Sequence, residues 1–478
     1  MPIILAPAHE LDTLNTVVKR CLTISAHFGQ EHTVLTVDQA LYCRLMELKW
    51  RVPEYQNKLI PRLGGLHISM NFLKAIADHM DGSGLAEVWV DSGLLGQGTV
   101  ELVRAGKAYN KGMRAHKLTL QALWRIVAPT FLVFVAEMDK ECHDQLSKMA
   151  VDANPEQIPE MITFLMQEQF NKLMKDFVDS KSEDVNFIFW WRYMDMVSIL
   201  LQFTRAQREG LWDLHLHSFS QMLPYFRRYD HLNYARWGPV YLAEMHQLPD
   251  PVLEEFQKGN FVVKQSPQRF NQVDPDHAME WVNGTGKKGG GIVGITKTTS
   301  ALCRWTLSYN LRTHIAAETH GMYKLCPGST HLHNEATKSR QTPDRDDENA
   351  LISTFQGFNM FSSALHPGSA GTLQNIATKD LATTEIQESL LHAKELGQEE
   401  MNTFVTERLT VAKECSKPAV SFHEPLHKDN APTFATLYKV LKGTKDKDKK
   451  KSLRQTEMFS NVSLRRMRLV GRLTCLQC

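Results

Sequence analysis

Two short strand-like runs, each passing straight into a helical one, constrain this chain more than anything else in it. The first, His32-Thr33-Val34-Leu35-Thr36-Val37, ends at Asp38 and gives way to helical spacing from Gln39 to Trp50. The second, Leu59-Ile60-Pro61-Arg62-Leu63-Gly64-Gly65-Leu66-His67, leads into another helical stretch from Ile68 to about His79. A further helix is expected over Asp12–Phe28, where Leu14, Val17, Val18, Cys21 and Leu22 recur at helical intervals. Strand and helix alternating in this way build a sheet covered by helices. Open sheets of that kind gather their active sites at the carboxyl ends of the strands, where Asp38 stands.

The pattern changes after Asp81-Gly82-Ser83-Gly84, a turn signal. Helical periods then dominate: Leu118–Val127, Ile158–Phe177 and Phe187–Gln207, with shorter ones at Met222–Arg228 and Val240–His246. Asn154-Pro155, Pro224 and Pro249 mark the loops expected between them. Trp190, Trp191, Tyr193, Trp212, Tyr225, Tyr234 and Trp237 are expected to pack between helices, the alternative being stacking on unpaired bases. A possible strand at Phe261–Lys264, a helix from about Asp274 to Val282, a glycine-rich loop and a helix from near Ser300 follow. Beyond 321, Thr342–Glu348 reads as a solvated, flexible run and Thr384–Thr410 as a helix. The whole is expected to be mostly α, with an α/β start at 1–80, a large helical insertion at 81–260, a return at 261–320 and a helical, partly disordered tail at 321–478. At 478 residues, more than one domain is expected.

Composition decides less. A net charge of +2 leaves any nucleic-acid surface to a local patch. Eight scattered cysteines lack the rhythm of a disulfide framework and suit a reducing compartment. The start, Met1-Pro2-Ile3-Ile4-Leu5, has no basic residue and only a stub of apolar ones, so no signal peptide is expected. No uninterrupted apolar run approaches the roughly 18 residues of a membrane span. The expectation is a nuclear or cytoplasmic protein, not secreted and with no membrane partner.

Few residues carry chemistry. Asp38 offers a hard oxygen ligand of the kind Mg²⁺ takes, yet it also stands where a helix N-cap belongs. Asp276 and Glu280, four apart in a helix opened by Asp274-Pro275, share one face. They either bind a cation together or merely repel each other in solvent. Gly284-Thr285-Gly286-Lys287-Lys288-Gly289 spells a nucleotide fingerprint but follows a helix, which rules that fold out. Lys287 and Lys288 could lie along a phosphate backbone, or belong to a plain connecting loop. Cys303, His314, His320, Cys326, His331 and His333 fit no compact zinc spacing, and Cys475 with Cys478 makes only half a ribbon. His67 and His116 are assigned to local polar partners rather than catalysis.

Four blocks carry a resemblance: Val34–Leu48, Leu63–Ile76, Tyr229–Pro249 and Phe270–Thr296, followed by Arg304-Trp305. In that order, over about residues 1–320, they resemble a family of animal proteins associated with transposable elements. The organisation is similar to that of RNase H-like (DDE-type) transposases, in which a large helical insertion separates the acidic ligands of two Mg²⁺ or Mn²⁺ ions. The resemblance implies that Asp38 is the second acid and Glu280 the third, with Asp276 in reserve and Glu244 and Asp195 weaker candidates. It also implies DNA as partner. The first acid of such a core would lie upstream of Met1, so a truncated copy is expected, inactive and with an exposed sheet edge. The alternative is a non-enzymatic nuclear protein that binds proteins or nucleic acid, its basic tract Lys442–Lys451 serving nuclear import. Carboxylates within metal-bridging reach would favour the first.

Overall fold

The computed structural model describes residues 4, 6–151, 168–264, 270–286, 298–322, 337–358, 371–409, 426, 428 and 431–434. It opens with α1 (Leu11–His27), β1 (Thr33–Val37), α2 (Gln39–Arg51), α3 (Pro53–Lys58), β2 (Leu59–Leu63) and α4 (Gly65–His79). β1 and β2 pair in parallel, from Thr33 opposite Leu59 to Val37 opposite Leu63, and Gly64 N–H extends the ladder to the Val37 carbonyl at 2.9 Å. Parallel neighbours need a crossover, which α2 and α3 supply. Leu45, Leu48 and Tyr55 of that crossover meet Leu14 and Val18 of α1 and Leu59 of β2 in one buried cluster. Every residue of β2 is buried, whereas β1 buries only Thr33.

Helices then take over: α5 (Leu85–Asp91), α6 (Gln97–Arg104), α7 (Tyr109–Met138), α8 (Lys140–Val151), α9 (Glu168–Ser180), α10 (Val185–Glu209), α11 (Trp212–Arg228), α12 (Leu232–His246) and α13 (Asp250–Gln257). Each expected helical period lies inside one of these, except that the first half of Ile158–Phe177 falls outside the described residues. Pro224 does not mark a loop. It sits inside α11, where its buried neighbours Leu223, Tyr225 and Phe226 hold the helix against a local cost of about 3 kcal/mol. Trp190, Tyr193, Trp212, Tyr225, Tyr234 and Trp237 are buried. They pack edge to face or stack in the core, as Tyr42 and Trp237 do at 6.0 Å, and present no face to a base. α7 is long and apolar enough to cross a membrane by length and composition alone. Here it packs against α4, α8, α9 and α10, with Ala115, Leu118, Leu123 and Val127 buried.

A two-residue antiparallel pair, β3 (Val263–Lys264) and β4 (Gln272–Val273), leads into α14 (Pro275–Gly286), followed by α15 (Thr299–Met322) and α16 (Lys338–Gly357). The run Thr342–Glu348 is a helical segment, with Thr342, Pro343, Arg345 and Asp346 exposed as expected of a solvated face and Asp344 buried. α7 supplies its counter-charges: Arg114 pairs with Asp344 and Asp347, and Arg125 with Glu348. The expected single helix from Thr384 breaks at His392 into α17 (Thr384–Leu391) and α18 (Ala393–Phe404). Lys287, Lys288, the basic tract and the terminal cysteines lie outside the described residues. The protein is mostly helical, with few short strands.

Candidate functional site

The turn after β2 is built from two glycines because two carboxylates press against it. A Cβ on Gly64 would lie 2.2 Å from Asp276 Oδ2, and one on Gly65 would lie 2.1 Å from Asp274 Oδ2. Both acids come from the junction of β4 and α14, which packs on α4 and β1. The Asp276 carboxylate sits at the amino end of α4, where unpaired backbone donors favour an anion. It accepts from Leu66 N–H (3.2 Å), His67 N–H (3.1 Å), its own neighbour His277 N–H (2.9 Å) and the His67 ring at Nδ1 (2.9 Å). Burial alone would raise its pKa; the His67 ring and these backbone donors outweigh it and hold the carboxyl below its ordinary value. The same ring bond raises the His67 pKa against the effect of burial, and the charges of Asp276, Asp38 and Glu280 add to the rise. With about a third of its side chain exposed, His67 is the part of this cluster that solvent reaches.

Behind it lies a buried polar layer. Asp274 is 3% exposed, and burial pushes its carboxyl up to about 8, opposed by Arg62 and reinforced by the charge on Asp276. Both Asp274 oxygens are buried without a hydrogen-bond partner of good geometry, which disfavours the charged form. Arg62 comes from the middle of β2 and is fully buried. It donates to the Phe261 carbonyl and lies 5.0 Å over the Phe261 ring, with Trp212 at 6.0 Å. Its Nη2 is 3.6 Å from Asp274 Oδ2, close enough to act as a charge but too long for a hydrogen bond. Gln207 Nε2 donates to His215 Nδ1 at 2.6 Å, leaving His215 Nε2 to pair with the Tyr241 hydroxyl at 3.0 Å.

The expected acids are placed unequally. Asp276 is at the centre. Asp38 is half-buried at the end of β1 and caps α2, accepting from Leu41 N–H at 2.8 Å, while its charge also acts on His67. Of the two functions assigned to it from sequence, the geometry shows the helix cap. Glu280, one turn beyond Asp276, is exposed and reaches His67 only through its charge. Asp195 lies elsewhere, with Arg192, Lys394 and Glu395, and Glu244 pairs with Lys49. Among the described residues, no group of three or more His, Cys, Asp or Glu stands close enough to hold a metal ion, so the residues present do not fit a two-metal centre. His116 is buried against Tyr193, as expected of a local polar partner. His67 likewise has a local polar partner in Asp276, whereas Arg62, and Asp274 beyond its place at the helix start, are additions from the structure. Arg62 gave the one available signal, a charge inside an otherwise apolar strand.

As it stands, the cluster can hold and orient an imidazole. Asp276 fixes Nδ1, which directs Nε2 away from the carboxylate. No curated protein and no solved structure matches the chain. Over residues 1–468 the chain matches the family described as a domain of unknown function (DUF8702), and it belongs to that family.

Proposed function

We propose that the strand-end cluster is the remnant of a metal-dependent, RNase H-like nuclease or transposase centre, and that this chain does not cut DNA. The observation that carries the reading is that Asp276 bonds the His67 ring just past the carboxyl end of β2, with Asp38 at the end of the paired strand β1 and Glu280 one helical turn beyond Asp276 acting on the same ring through charge alone. The helical block between β2 and α14 separates those acids in sequence, as an insertion would. The loss of activity follows from what the oxygens now do. Asp276 is committed to four N–H donors and Asp38 to a helix cap. An Mg²⁺ or Mn²⁺ ion would have to displace those bonds. DNA is the partner the reading implies, and the nucleus the compartment.

Incubation of the purified chain with supercoiled plasmid and Mn²⁺ is expected to leave the plasmid intact, or to leave any residual nicking unchanged in Asp38→Ala. Nicking abolished by that substitution would overturn the inactive reading. Descent from a metal site has its own test, because the His67 ring occupies an oxygen a metal would use. His67→Ala is expected to gain Mn²⁺ binding that the wild type lacks, detected by electron paramagnetic resonance, and His67→Ala with Asp276→Asn to lose it. Binding that survives loss of the carboxylate would count against the descent.

A further inference from the structure

β1 is the open edge of its sheet. β2 is buried along its whole length, and on the side away from β1 its Pro61 has no N–H to offer. The register tells which backbone groups of β1 are already spent. Val37 lies opposite Leu63 and its carbonyl accepts from Gly64 N–H, so Thr33, Leu35 and Val37 turn their N–H and C=O groups toward β2. Val34 and Thr36 turn theirs the other way, where no strand pairs with β1 among the described residues. Natural edges are commonly blunted by lysine, proline or a bulge. Thr33-Val34-Leu35-Thr36-Val37 carries none of them. Val34 is 39% exposed. Ile24 and Phe28 stand at the end of α1 that is tied to β1 by the hydroxyl bond between Thr33 and Ser25 (2.8 Å), and they are 42% and 72% exposed.

We propose that this edge is filled by the same edge of a second copy of the chain, the two β1 strands running antiparallel about a two-fold axis at Leu35. A two-fold contact must be complementary to itself, and β1 is. With Leu35 opposite Leu35 of the second copy, Val34 and Thr36 stand opposite each other twice. Those are the residues whose N–H and C=O groups point outward, and a hydrogen-bonded antiparallel pair exchanges both bonds. This one register therefore satisfies every outward backbone group of the strand. It also sets His32 opposite Asp38 at both ends, a basic residue against an acid. Sliding the register to put Val34 opposite itself would leave His32 facing Thr36 and separate it from the acid. The product is a four-stranded sheet whose outer strands are the two buried β2, so assembly closes at two copies. The inference does not depend on the DNA reading of the strand-end site.

The test is sedimentation velocity of the full chain over a concentration series. The contact is small, so a reversible dimer with a dissociation constant on the order of 1–100 μM is expected. Val34→Pro removes an N–H that the ladder to β2 does not use, and Thr36→Lys puts a charge into the edge. Each is expected to weaken the dimer roughly tenfold or more, with the far-UV circular dichroism of the wild type. His32→Asp sets acid against acid at both ends and is expected to weaken it as well. Adding Asp38→Asn, which keeps a capping side chain on α2, is expected to recover part of that loss, as a purely local role for His32 would not. A single monomeric species at every concentration, growth beyond two copies, or a dimer untouched by Thr36→Lys would overturn the assignment. Thr36→Lys leaves the backbone unchanged, so it decides the matter even where Val34→Pro fails to fold.

Discussion

Between about pH 4 and pH 8, the wild-type protein is expected to lose stability more steeply than Asp274→Asn, the gap between them growing by a few kcal/mol. Asp274 is buried and its carboxyl is pushed up to about 8, against an ordinary 3.8. Across that window the unfolded chain has released this proton and the folded chain still holds it. The folded state then binds more protons, so stability falls as pH rises. Asparagine resembles the protonated acid in shape and has no proton to lose. Two neighbours act in the same region with different signs. His67, raised above 6.5 chiefly by its bond to Asp276, contributes stability fully present below 6.5 and lost as pH rises through its folded value. Asp276, held below 3.8, contributes stability present above 3.8 and lost as pH falls through its folded value. Together they place the stability maximum on the mildly acid side of neutrality. Urea unfolding at a series of pH values reads the slopes directly. Parallel curves for wild type and Asp274→Asn would mean that Asp274 ionises in the fold much as it does in water.

Much of this arrangement could be read from the sequence, but only where local chemistry decides structure. The crossover from β1 to β2 was legible because short strand-like runs and helical spacing alternate within a few dozen residues. The cap at Asp38 and the start of α14 at Pro275 were legible for the same reason, since capping preferences act over three or four residues. What tertiary contacts decide was not. Thr342–Glu348 does not read as a helix until Arg114 and Arg125, more than two hundred residues earlier, are set against its acids. Pro224 looks like a break until its buried neighbours are seen. The site itself was half legible. Helical spacing put Asp276 and Glu280 on one face, yet nothing local distinguishes Asp276, tied to α4, from Glu280, left in solvent. Asp274 and Arg62 become a pair only through the return of the chain at β4.

Gly65→Ala is expected to destabilise the protein by about 3–5 kcal/mol, a large part of the margin of an ordinary domain. The new Cβ would stand 2.1 Å from Asp274 Oδ2 and 2.7 Å from its Cγ, so one of them must move. The obstacle is not the free end of a surface side chain. Asp274 is 3% exposed with the Arg62 guanidinium 3.6 Å away, so turning it aside displaces packed neighbours and parts it from that charge. Moving the backbone instead would lift the amino end of α4 from Asp276 and undo the bonds to Leu66 and His67. A double-mutant cycle separates this clash from a general intolerance of the turn. Alanine at 65 combined with Asp274→Ala removes the colliding carboxyl, so the two losses should fall short of their sum by more than about 1 kcal/mol. Gly98→Ala is the reference, because nothing lies within 4 Å of its Cβ and the residue is helical. It should be neutral or stabilising by up to about 1 kcal/mol. Strictly additive losses at 65 and 274 in chemical denaturation would show that the glycine serves the turn alone and does not make room for the acid.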